Sequence, residues 1–202
     1  MFRTFKMLAA ATVVTVGSAA AASAQSVLLG ATLSGAQEVP AVTTPATGTS
    51  TLLYNQGTGA FTVTLSFSGL TGNTVPVGPG NAPAHIHLGG PGVNGPIAIP
   101  LVGIPAGGTS FTNYTRTFTF AELLTIGVSD ANVAALQATL NGLVGASVGT
   151  TAGLYANVHT TTFPGGEIRG NMAVIPEPST YALLASGLAG LGVVARRRRQ
   201  RA

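Results

Sequence analysis

The 202-residue chain has no cysteine and no tryptophan, and only 7% of its residues are charged, against about a quarter in an ordinary globular domain. The absence of cysteine removes a disulfide framework, a thiol nucleophile and thiolate metal sites together. Three histidines, His85, His87 and His159, are left as the strong nitrogen ligands. Acidic residues are equally scarce. Asp130 is the sole aspartate, it sits where a helix should start, and no G-x-S-x-G elbow occurs, so nothing resembles a hydrolase. The net charge of +4 looks like that of a nucleic-acid binder until its location is checked. Arg3, Lys6, Arg196, Arg197, Arg198, Arg199 and Arg201 lie at the two ends, and Arg116 and Arg169 alone are internal. Opposite them stand Glu38, Glu122, Asp130 and Glu167, so the middle is slightly acidic and offers no basic stripe to a phosphate backbone. Nucleic acid is therefore excluded as a partner.

The ends read as addresses. Residues 1–24 combine Arg3 and Lys6, an apolar run over 7–16 and the small residues Ala22, Ser23 and Ala24. This is the pattern of a secretory signal peptide cleaved after Ala24. The alternative, a retained anchor, needs a longer apolar run to span a bilayer. Residues 176–202 begin with Pro176, Glu177 and Pro178, continue with an uncharged stretch over 179–195 and end in the arginine cluster. A helix over that stretch rises about 25 Å, short of a ~30 Å hydrocarbon core unless the arginines snorkel. Read as a membrane helix, it leaves the basic end in the cytoplasm.

This tail resembles the PEP-CTERM sorting signal of bacterial exported proteins, with Pro176, Glu177 and Pro178 as its motif. The resemblance implies recognition by an exosortase-type transpeptidase after passage through the export machinery. It also implies a mature protein at the cell envelope or outside it, in contact with exopolysaccharide. A plain tail anchor that is never cut is the alternative.

Between the addresses, residues 25–175 form one domain, long enough to bury its own core. Short alternating runs broken by glycine, proline and asparagine predict antiparallel strands over 27–33, 49–55, 60–67, 84–88, 97–101, 109–118, 154–159 and 167–174. Phe61, Val63, Leu65 and Phe67 alternate with Thr62, Thr64 and Ser66, giving one buried and one wet face. Asn55 to Gly59 reads as a hairpin turn. One helix is expected over 130–141, capped by Ser129, and a further helical turn near Glu122. Residues 43–50 and 69–83 read as surface loops. The expected architecture is all-β, an antiparallel sandwich or partly closed barrel of about eight strands with one helical insertion.

Chemistry concentrates in two places. His85 and His87 lie two apart on a strand, so both imidazoles share one face while Ile86 takes the other. His159 closes a second strand on a face shared with Tyr155 and Asn157. If the two strands are neighbours, the geometry permits a three-histidine site for copper or zinc. Alternatively the imidazoles bond to loop carbonyls or to Glu167 and simply pin the strands. Glu167 and Arg169, two apart on the last strand, read as charge-assisted fasteners or as orienters of a histidine, with a catalytic role as the other reading.

The runs Gly35 to Pro40, Ala84 to His87, Tyr155 to Thr160 and Gly165 to Gly170 resemble the motifs of the CHRD domain, a module of chordin and of bacterial secreted proteins. The match covers nearly all of the exported part. Two departures leave its polar positions intact: a single proline after Val39, and Thr161 to Phe163 ahead of Pro164. The resemblance implies an extracellular binding or structural role, and no enzymatic activity defines the family. A second expectation is a copper-binding, superoxide-dismutase-like redox domain, with Arg169 drawing in an anionic substrate. The bridging histidine and the cysteine pair of that enzyme family have no counterpart here.

Overall fold

The computed structural model describes residues 26–200. The signal-peptide segment, with Ala22 and Ala24, lies outside them. Eight strands form, in chain order β1 (Ser26–Ser34), β2 (Thr47–Asn55), β3 (Ala60–Ser68), β4 (Ala84–Leu88), β5 (Ile97–Pro100), β6 (Phe111–Thr119), β7 (Thr151–Val158) and β8 (Ile168–Val174). Helices α1 (Phe120–Ile126) and α2 (Asp130–Leu143) separate β6 from β7, and α3 (Pro178–Arg199) follows the sheet. All eight strands belong to one antiparallel sheet in the order β5-β4-β7-β8-β1-β2-β3-β6. That sheet curls into a half-barrel, so the partly closed barrel is the form found, with no second sheet among the described residues to make a sandwich.

Local chemistry accounts for the elements. In β3 the residues Phe61, Val63, Leu65 and Phe67 are buried and the intervening Thr62, Thr64 and Ser66 are not. The β2–β3 turn closes with Gly59 N–H donating to the Asn55 carbonyl and Thr58 N–H donating to Asn55 Oδ1. Thr119 and Ser129 cap α1 and α2 by accepting from the Glu122 and Asn132 amides. Gly127, in the left-handed region at φ 101°, ends α1. The helix near Glu122 is thus a full two-turn element, and its first turn is tied to β6 by the Arg116–Glu122 ion pair of 2.6 Å.

The core lies in the concavity, filled by Leu29, Leu52, Phe61, Val63, Leu65, Ile86, Ile99, Phe118, Val158, Ile168 and Met172. A curled sheet that stops short of closure leaves apolar surface near its free edges β5 and β6. Helix α1 packs against both of these strands and α2 against β4, β5 and β7, with Leu123, Leu136 and Leu140 buried beneath them. The helical insertion therefore seals what hydrogen bonding leaves open.

Two expectations are corrected. Residues 47–50 are the start of β2 rather than surface loop, because Thr47 to Ser50 pair with both Ala31 to Ser34 and Leu65 to Ser68. The 69–83 segment is a long loop as expected, held in place by a Thr74–Thr160 bridge and by Thr74 and Val75 amide bonds. The tail is helical as expected, yet among the described residues no helix is long and apolar enough to cross a membrane. The reason is legible in α3: its uncharged part is short, and Gly187, Gly190 and Gly192 dilute it ahead of four arginines.

Candidate metal centre on the outer face

Strand pairing brings the two histidine strands together. β4 lies directly beside β7, with His85 opposite Asn157 and His87 opposite Tyr155, and β7 lies beside β8 with Asn157 opposite Arg169. Directly opposed residues share a face, so His85, His87, Tyr155, Asn157 and Arg169 all leave the sheet on the side away from Ile86 and the main core. That outer face is not solvated. The chain on either side of β4, together with residues 160–166, folds over it, and His85, His87, His159, Asn157, Glu38, Glu167 and Arg169 are all buried. The domain thus has a second, polar core on the back of its sheet.

The imidazoles of His85, His87 and His159 converge. Ring centroids lie 5.0 to 5.8 Å apart, and one nitrogen from each ring can be chosen so that all three lie within 4.8 Å of one another. Each ring uses its other nitrogen on a loop carbonyl: His85 Nε2 on Val77 at 3.1 Å, His87 Nδ1 on Gly95 at 2.9 Å and His159 Nδ1 on Pro164 at 2.9 Å. A carbonyl can only accept, so each of these nitrogens carries the proton. The remaining atoms, His85 Nδ1, His87 Nε2 and His159 Nε2, are bare lone pairs, buried and without a partner.

The environment keeps the rings neutral. Burial lowers His85 to about 3, with the neighbouring His159 and His87 adding to the effect and the Val77 carbonyl opposing it. His87 is lowered to about 4 by burial, against its Gly95 bond, with His159 and Arg169 adding to the lowering. His159 is lowered by burial, against its bond to Pro164. Three neutral imidazoles whose tautomers are fixed from behind are the donor set that first-row transition metals take.

The flanking groups have separate tasks. Glu167, expected to fasten the last strand or orient a histidine, does the first. Its Oε1 accepts from Thr44 Oγ1, Thr71 N and Thr71 Oγ1 at 2.7 to 2.9 Å, and its Oε2 from Thr160 Oγ1 at 2.8 Å and Gly72 N at 3.4 Å. Burial alone would raise this carboxyl, but the donors from Thr71, Thr44 and Thr160 outweigh it and hold the group below its ordinary value. Three loops are pinned by one carboxylate, and none of its bonds goes to a histidine.

Arg169 is fully buried and makes four hydrogen bonds, to Asn171 Oδ1, Asn94 Oδ1 and the Gly90 and Val93 carbonyls. Its guanidinium lies 3.4 Å from the Tyr155 ring centre, and the His87 ring stacks on Tyr155 at 4.8 Å and 8°. Because β7 runs between β4 and β8, the two groups sandwich Tyr155 from opposite sides. The arginine therefore has no exposed face for a dissolved anion, and it ties the 90–94 loop to the sheet.

Sequence reasoning missed Glu38 and Asn157 as members of this core. Glu38 Oε1 and Asn157 Oδ1 are buried without partners, and both border the space that a Cβ on Gly166, at φ 134°, would enter. Burial pushes Glu38 up to about 7, against the Arg169 charge and the Val39 amide. Its scarcity was the available signal, as one of four acids in the whole domain. Beside it a cleft of about 310 Å³ is lined by Glu38, Pro40, Asn94, Phe163, Pro164 and Gly166. A groove of about 560 Å³ runs over Thr32, Thr49, Ser66 and Ser68, and none of the three histidines lines it. Pro176 and Pro178 flank Glu177 at the exit from β8, where Ser26 Oγ donates to Glu177 Oε1 at 2.7 Å.

The chain thus forms a half-barrel with a buried polar layer on its back, followed by a Pro-Glu-Pro segment and a helix that ends in four arginines. The CHRD domain family model matches residues 29–172, and the PEP-CTERM protein-sorting motif matches residues 174–199. The chain belongs to the CHRD domain family. The sorting motif marks an exported, envelope-associated protein processed by exosortase. No curated protein and no solved structure matches the chain.

Proposed function

We propose that this exported protein is a metal-binding module of the cell envelope, with His85 Nδ1, His87 Nε2 and His159 Nε2 holding one copper or zinc ion. The observation that carries the reading is that three buried imidazoles converge, one nitrogen from each within 4.8 Å of the others, while each ring keeps one nitrogen without a partner. A buried polar atom without a partner costs about 1–3 kcal/mol, and one ion bound to three such atoms would remove all three costs together. Metal–nitrogen bonds of about 2.0 Å bring donors to roughly 3.4 Å of each other, so small ring rotations complete the site. When bound, the ion supplies Lewis acidity or redox chemistry. The protein holds the three rings in one tautomer through Val77, Gly95 and Pro164 and keeps them neutral.

The test is metal content and titration of the purified protein beside His85→Ala and His159→Ala. One ion per chain, lost in both variants, supports the centre. A folded parent that binds neither copper nor zinc refutes it.

A second role is favoured by the other part of the sheet. Thr49, Thr51, Thr62, Thr64, Thr115 and Thr117 face outward from β2, β3 and β6, and no charged side chain interrupts them. Cross-strand bonds of 2.6 Å (Thr51–Thr64) and 2.8 Å (Thr62–Thr117) order these hydroxyls. Such a surface fits contact with a neutral polysaccharide of the extracellular matrix. Co-sedimentation with the producing cell's exopolysaccharide, lost in a Thr51→Lys, Thr62→Lys double variant, tests it; unchanged binding contradicts it.

A further inference from the structure

Resting on the metal-centre reading above, we propose that the three-imidazole centre is a copper(I) site, taking a monovalent ion in three-coordinate geometry in preference to zinc(II) or copper(II). No electron transfer is involved, since the ion binds in its reduced form. Three features of the buried layer set the preference.

The donor set stops at three. Among the described residues the cluster consists of His85, His87 and His159, with no carboxylate in it. Glu167, the nearest acid in sequence to His159, is occupied by Thr44, Thr71, Gly72 and Thr160. Zinc(II) takes four ligands, its fourth being a further side chain or solvent in an open position. The histidines here are 0, 7 and 4% exposed, which leaves no open position for solvent.

The donors are also uncharged, so the centre carries the full charge of its ion into a dry layer. The desolvation penalty of an ion grows with the square of its charge, and a dication without an anionic ligand is the costly case. Copper(I), with a closed d shell and one charge, is content with three neutral nitrogens.

The fixed charges around the layer act in the same direction. Arg169, from β8, stacks on the far side of Tyr155, which places its guanidinium within about 8 Å of the His87 ring. At that distance and an effective dielectric of ~20, each extra unit of positive charge on the ion is disfavoured by about 30-fold. The acids cancel this only in part. Glu167 is turned toward its five donors, and Glu38, from the 35–42 segment, is raised by burial to about 7, so it offsets the Arg169 charge only in part at neutral pH. β4 and β7 contribute no charged side chain to this face.

The experiment is a pair of competition titrations on the purified protein, copper(I) against a chromophoric chelator without oxygen and zinc(II) against its own, with X-ray absorption of the copper-loaded protein. The expected result is one copper(I) per chain, held at least tenfold more tightly than zinc(II), with three nitrogen neighbours and the edge feature of three-coordinate copper(I). Arg169→Met, if folded by circular dichroism, narrows the preference toward the dication; the absorption spectrum of the parent decides the matter if that variant does not fold. Zinc bound as tightly as copper(I), or a four-coordinate copper(II) spectrum that persists in air, overturns the copper(I) assignment while leaving a metal centre. Absence of any bound metal overturns the centre itself.

Discussion

Glu167→Gln isolates what holds the outer layer together from what sits inside it. The carboxylate receives three donors at Oε1 and two at Oε2. An amide keeps one oxygen and brings two N–H groups into a space where every neighbour already donates. With the oxygen turned to the Thr71 side, the Thr160 hydroxyl can rotate to accept, but the Gly72 amide cannot. One buried backbone donor is left unsatisfied, and four bonds lose their charge assistance. At 1–3 kcal/mol for an orphaned buried group and somewhat less for each weakened bond, the expected loss is about 3 kcal/mol. For a domain of this size that lowers Tm by about 6–12 °C. Thermal unfolding followed by circular dichroism, parent against variant, reads the shift. The residues that Glu167 holds are loop residues of the 44, 71–72 and 160 segments, so the variant should still bind metal at one ion per chain once folded. A Tm change under about 2 °C would refute the fastening role, and a folded variant that had lost its metal would show that Glu167 belongs to the centre.

Other outcomes follow from the same geometry. In the metal-free protein the three histidines have folded-state pKa values below the unfolded value near 6.5, about 3 for His85 and about 4 for His87. The unfolded state then binds more protons between pH 6.5 and 4, and stability falls as pH falls, by roughly 1.4 kcal/mol per pH unit for each histidine in its window. Glu38 opposes this between about 4.5 and 7, since its folded value is raised and the folded state binds the extra proton there. Denaturant midpoints from pH 7.5 to 4.5 check the sum: a net fall toward acid is expected, and a flat or rising profile contradicts the neutral-histidine layer. Gly166→Ala places a Cβ against the Asn157 amide and 2.6 Å from Glu38 Oε1, at φ 134°. A loss of several kcal/mol in chemical denaturation is expected, and a change below 1 kcal/mol would show that the loop relaxes freely. Tyr155→Phe removes only the hydroxyl that accepts from Gly95 N at 3.1 Å and keeps the ring between His87 and Arg169. It should cost about 1 kcal/mol with metal stoichiometry unchanged, as read by denaturation and metal analysis.

Much of the fold was legible because strand patterning is a local signal. The Phe61 to Phe67 alternation and the Asn55 to Gly59 turn are written in consecutive residues, and all eight strands form close to their expected positions. The sheet order is different in kind: that Ser26–Ser34 lies between β8 and β2 depends on long-range pairing, which no local period encodes. A sandwich and a half-barrel share the same strand patterns, and the curl decides between them. His85 and His87 could be placed on one face from spacing alone, whereas their meeting with His159 required β4 beside β7. Burial of that face was invisible in sequence, since it comes from loops folding back over it. Glu38 shows this most plainly. It looks like a surface acid in a Pro-containing turn, and it becomes a buried one only because the segment carrying it lies over Gly166. The tail's helix was legible from composition, whereas among the described residues no helix is long and apolar enough to cross a membrane.

The account stands on the three imidazoles being ligands rather than fasteners, and one measurement addresses that directly. Purified protein is loaded with copper(I) without oxygen, passed through a desalting column and assayed for metal per chain, beside His159→Ala with its fold checked by circular dichroism. The account predicts one copper per chain in the parent and none in the folded variant. A folded parent that emerges free of metal, or a His159→Ala variant that retains as much copper as the parent, contradicts it.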